Sequence, residues 1–88
     1  MYYVLAPTHR AFKYWCDIVR HEHEEEGKRF KAVYVVGYKD LAGLDRDTAT
    51  FVWVDGWEMI PDKELVGKFN YIAKECQYAR RRKHDQNS

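Results

Sequence analysis

The sequence predicts an α/β fold: a small three-stranded, mostly parallel sheet flanked by two long helices, in the order β-α-β-β-α. Three observations predict it. Three short stretches read as nearly continuous apolar runs, the pattern of strands covered on both faces. Two other stretches repeat apolar residues at three- and four-residue steps, the signature of amphipathic helices. The first of these helices lies between the first two strands, so it must act as a crossover and return the chain parallel.

The elements follow in order. "YYVLA" (2–6) is β-branched and aromatic and ends at Pro7, which marks a strand. Thr8 then stands as an N-cap, and Ala11, Phe12, Trp15, Cys16, Ile18 and Val19 form the stripe of a first helix that Gly27 ends. "KAVYVV" (31–36), closed by Gly37, is the second strand. Residues 38–47 connect it to the third, with one helical turn expected at Lys39 to Ala42. "TATFVWVD" (48–55) is the third strand, stopped by Gly56. Asp62 is the N-cap of a second helix whose stripe is Leu65, Phe69, Ile72, Ala73 and Cys76, running to about Lys83. Residues 1–84 form one domain, and 85–88 a polar tail. The long crossover over 7–30 demands a parallel first pair, and strand one is expected in the middle. The second connection is near the lower length limit for a parallel return, so an antiparallel pairing of strands two and three is the alternative.

Composition excludes several classes. A chain of 88 residues, 45% apolar and 16% aromatic, folds as a single small core rather than staying disordered. A formal net charge of +1 names no partner. Two cysteines, Cys16 and Cys76, are too few for a disulfide scaffold and share no metal-type spacing. They read as buried thiols of a reducing cytoplasm. No signal peptide and no membrane span are expected.

Ligands of open α/β sheets collect at the carboxyl ends of the strands. Those ends carry Thr8, His9 and Arg10 after strand one, Lys39 after strand two, and Asp55 and Trp57 after strand three. A parallel sheet is expected to gather them on one edge, where Thr8 and the free N–H groups of the first helix suit a phosphate or carboxylate. The simpler alternative is an ordinary N-cap among solvated loops. Trp57, with Tyr38 nearby, reads either as a cap on the core or as an exposed aromatic anchor. Glycine patterns that wrap phosphates, GxxxxGK[ST] and GxGxxG, are absent, so no nucleotide cofactor is expected.

"VLAPTHRAF" (4–12) resembles the strand-to-helix junction of superfamily 2 helicases, where a "PTRELA"-like motif contacts the nucleic-acid backbone. "TFVWVDG" resembles the strand that ends in their Walker B acid. The likeness implies backbone contacts for Pro7, Thr8, His9 and Arg10, and a metal-side role for Asp55. The chain departs from the family in three ways: it has no Walker A segment, Gly56 stands where the family has Glu, and there is no second lobe. ATPase activity is therefore not implied, and what the resemblance implies is a RecA-like or Rossmann-like half. Over most of its length, through residues 4–8, 40–44 and 51–57, the chain also resembles small uncharacterised α/β proteins encoded by bacteriophages. That resemblance implies a phage accessory protein acting in the host cytoplasm and carries no activity.

Two charge runs remain. In "HEHEEE" (21–26), His21 and His23 point about 200° apart on a helix, so they cannot share an ion; the run reads as a solvated acidic helix end. Its acids oppose the helix dipole, which points to a frayed last turn or a basic partner. In "ARRRKH" (79–84), Arg80, Arg81, Arg82 and Lys83 suit a helix C-terminus and also suit phosphates. No nucleophile, base and orienting group can be read from spacing. The expectation is thus a non-enzymatic accessory protein that binds a host or phage protein through the strand-end edge. The alternative is a nucleic-acid-binding module using the first helix N-terminus and Arg80 to Lys83. A free sheet edge also offers a homodimer contact.

Overall fold

The computed structural model describes the backbone of residues 1–86 and the side chains of residues 1–77. The elements are β1 (Tyr2–Leu5), α1 (His9–Glu25), β2 (Ala32–Tyr34), a 3₁₀ turn (Tyr38–Leu41), β3 (Thr50–Trp53), a second 3₁₀ turn (Trp57–Met59) and α2 (Lys63–Gln86). The three strands form one parallel sheet in the order β2-β1-β3. Strand one is central, as expected, and the alternative of an antiparallel pair of strands two and three is not what forms. Tyr3 sits opposite Val33 on one side and Phe51 on the other.

Side chains alternate across a strand, so each helix takes its own face. Tyr2 meets Trp15 of α1, with ring centroids 5.6 Å apart, and Phe12 stacks on Tyr34 at 5.0 Å. On the opposite face Phe51 and Trp53 meet Phe69 of α2 edge-on at 5.5 and 5.4 Å. Tyr3, Leu5, Val35, Leu65, Val66 and Phe69 make this the main core, and Phe69 and Leu5 are fully buried. The central strand is buried from Tyr3 through Ala6. That is why its sequence carries no polar alternation.

The strands are shorter than their apolar runs. β2 spans Ala32–Tyr34 and β3 spans Thr50–Trp53. The connection between them therefore covers 35–49, long enough to pass β1 and return parallel. It crosses on the α2 face, where Leu41 and Ala49 are buried in the core and Leu44 packs against it. The expected helical turn is present, one residue earlier at its start. Oδ2 of Asp40 accepts from the N–H of Val36 at 2.9 Å and of Gly37 at 3.1 Å.

Both predicted N-caps are formed. Oγ1 of Thr8 accepts from Ala11 N–H at 3.1 Å, and Oδ1 of Asp62 accepts from Leu65 N–H at 3.1 Å. The acidic end of α1 is sealed rather than frayed. Gly27, at φ 70°, lets its N–H reach Glu24 O at 3.1 Å and the N–H of Lys28 reach His23 O at 2.9 Å, a Schellman closure. Among the described residues, no helix is long and apolar enough to cross a membrane.

Candidate functional site

The residues expected at the strand carboxyl ends take separate roles there. Thr8 uses its hydroxyl as the α1 cap. His9 turns outward over β2, its ring 5.6 Å from Tyr34 and 6.1 Å from Phe12. Arg10 and Lys39 are exposed. Asp55 is exposed just beyond β3, at the rim of a groove lined by Ala11, Tyr14, Trp15, Ile18 and Trp53. Because β1 lies between β2 and β3, His9 and Asp55 stand on opposite flanks of the sheet. Trp57 caps the core, packed against the cluster under α2. Tyr38, half exposed, lies under the ammonium of Lys68, 5.2 Å from its ring centroid.

The crevice between the β1 and β3 ends is closed. α1 leaves β1 on one face and α2 leaves β3 on the other, the arrangement that opens a ligand crevice in larger sheets. Here Gly56 abuts Pro7: a Cβ at Gly56 would stand 3.1 Å from Pro7 Cγ. Beside it lies a depression of about 300 Å³ lined by Ala6, Pro7, Tyr34, Val36, Ile60 and Asp62. Its carboxylate is already spent on the α2 cap.

A larger groove, about 540 Å³, runs between α1 and the outer edge of β2. His9, Lys13, Cys16, Asp17 and Arg20 line it from the helix, and Lys31, Ala32 and Val33 from the strand. Positions 9, 13, 16, 17 and 20 share one face of α1, so the lining is a stripe parallel to the strand. Lys13, Arg20 and Lys31 are exposed and form no ion pair with any described carboxylate. Arg20 is placed by the ring of Phe30, 5.7 Å beneath its guanidinium. Cys16 forms the floor. Burial pushes its thiol pKa up; Arg20 pulls the other way and Asp17 reinforces the rise. A thiol so held is a poor nucleophile.

His23 is the residue whose surroundings the sequence hid. It does not lie on a solvated helix end. In the neutral ring its Nδ1–H donates to Val19 O at 2.9 Å, leaving Nε2 to accept from the Tyr2 hydroxyl at 3.1 Å. Tyr2, Trp15, His23 and Phe30 form one aromatic box over the β1–β2 end. Among the described residues no three His, Cys, Asp or Glu side chains could share a metal ion. The side chains of Arg80, Arg81, Arg82 and Lys83 lie outside the described residues.

Scans against protein-family models, curated proteins and solved structures find no match to this chain. The site therefore rests on geometry alone. Sequence reasoning missed the basic stripe; its signal is Lys13 and Arg20 at a seven-residue step on α1. Its significance was hidden, because nothing in the sequence says that β2 rather than β3 is the strand beside it.

Proposed function

We propose that this chain is a non-enzymatic accessory protein, of the kind bacteriophages encode, that works by binding another protein on the α1 side of its sheet. One observation carries this reading. The strand-end crevice is shut by Pro7 against Gly56, while α1 leaves Tyr14 71% and Ile18 47% exposed on one of its flanks. These two side chains are one helical turn apart and line a groove of about 410 Å³ with Trp15 and Trp53. Large apolar and aromatic side chains gathered at an open groove are the usual anchors of protein interfaces. The two unpaired thiols, Cys16 and Cys76, suit the reducing host cytoplasm that this reading implies.

The test is affinity capture from phage-infected and uninfected cell lysates with the wild-type chain and with a Tyr14→Ala/Ile18→Ser variant of unchanged circular dichroism. A specific partner retained by the wild type and lost by the variant supports the reading. Equal capture by both overturns α1 as the docking element.

A further inference from the structure

We infer that the free edge of β2 takes an acidic segment of a partner protein, in extended conformation, as a fourth strand of the sheet. The inference rests on the protein-binding reading and adds to it a second contact, on the β2 flank of α1, and the chemistry of its occupant.

The edge is chemically open. In a parallel ladder, alternate residues of an edge strand turn both main-chain groups towards the neighbour and the rest turn theirs away. Lys31 O accepts from Tyr2 N–H at 2.9 Å, and Val35 N–H donates to Val4 O at 3.0 Å. Residues 31, 33 and 35 therefore serve β1. Ala32 and Tyr34 point their N–H and C=O groups outward, at the end of the β2-β1-β3 order where no further strand follows. Further along, the outward N–H of Val36 is already taken by Asp40. The open stretch is thus short and bounded.

What flanks that edge selects the occupant. Lys13, Arg20 and Lys31, with His9, face the groove against a single carboxylate, Asp17. The stripe from His9 to Arg20 extends about 16 Å along the helix, at 1.5 Å per residue. Five residues of extended chain cover the same length. Alternate side chains of an added strand would point to the α1 face and meet His9, Lys13 and Arg20. Acidic residues at every second position satisfy both the edge and the stripe. The same cations oppose a second copy at this edge, because pairing β2 with β2 would bring two basic grooves together. Phosphate chains are the less suited alternative. They have no donors for the outward carbonyls of Ala32 and Tyr34.

The experiment titrates the full chain with fluorescein-labelled peptides. The probes are a seven-residue peptide alternating Glu and Val, its Lys-for-Glu counterpart, the acidic peptide N-methylated at alternate residues, and a single-stranded deoxythymidine oligonucleotide. The acidic peptide is expected to bind, to weaken with salt and to slow amide hydrogen exchange at Ala32 and Tyr34. N-methylation should abolish binding, and Lys13→Glu with Lys31→Glu should weaken it on the order of tenfold or more. Ala32→Pro removes an outward N–H that serves no partner in the sheet, and it should lose the peptide as well. Wild-type exchange protection decides the case if that variant folds poorly. No binding, binding that survives N-methylation, or unchanged exchange at Ala32 and Tyr34 overturns the inference. Preferential binding of the oligonucleotide, lost in the Lys13/Lys31 variant, overturns it in favour of a nucleic-acid groove. In each of these cases a partner whose capture depends on Tyr14 and Ile18 leaves the protein-binding reading standing.

Discussion

Gly56 and Pro7 lock the ends of β3 and β1 together. Gly56 sits at φ 94°, in the left-handed region, and any β-carbon there would come 3.1 Å from the proline ring. Both demands fall on one residue, so Gly56→Ala suffers twice. Gly43 makes the control, since it has φ 73° with open space around it. Strain at a left-handed non-glycine residue costs about 1–3 kcal/mol. Denaturant unfolding should place Gly43→Ala at the low end of that range and Gly56→Ala above it. Equal losses would show that the Pro7 contact relaxes freely.

The Phe69 ring is fully buried between Phe51 and Trp53, so it is the main tie between α2 and the sheet. Phe69→Ala leaves a cavity that β3 and the 35–49 connection cannot both collapse into, and should cost about 3–5 kcal/mol. Trp53→Phe is the finer probe. Trp53 Nε1–H donates to Asn70 Oδ1 at 2.6 Å, and the substitution keeps an aromatic ring against Phe69 but removes that donor. A loss near 1 kcal/mol is expected by denaturant unfolding.

The fold was legible because its signals are local. Proline and threonine ended β1 and started α1, Gly27 closed α1, and the long crossover made β1 and β2 a parallel pair. The carboxyl-edge site was read by analogy with larger sheets. In those sheets long loops hold the crevice open; here the β1 loop is only Ala6 to Thr8, and the short turn at Gly56 folds onto it. His23 was misread as solvent-facing because its partner, Tyr2, is 21 residues away. Sequence spacing along a helix carries no information about such a partner.

Tyr2 and His23 tie the amino end of the central strand to the last turn of α1. Tyr2→Phe keeps the ring inside the aromatic box and removes the proton that Nε2 accepts. A half-buried acceptor without a donor should cost about 1 kcal/mol. His23→Leu also removes the second bond to the Val19 carbonyl, so it should cost more. The double variant should cost less than the sum of the two, because both remove the same bond. Additive losses would show that the two rings do not act together.

Cys16 and Cys76 are both buried and unpaired. For Cys16 the thiol pKa is raised, first by burial, so the neutral form is favoured in the folded chain. The unfolded chain then loses its proton at lower pH than the folded one. The stability this contributes is complete below the ordinary thiol pKa of about 8.5 and is lost as pH rises through the higher folded value. Folding should therefore weaken above about pH 8.5, and Cys16→Ser should flatten that limb of the profile. Alkylation of the native chain at pH 7 should be slow and should quicken with alkaline pH. Because Cys16 floors the groove beside β2, a bound acidic strand should slow it further. Alkylation unaffected by a saturating peptide would place that peptide somewhere else on the surface.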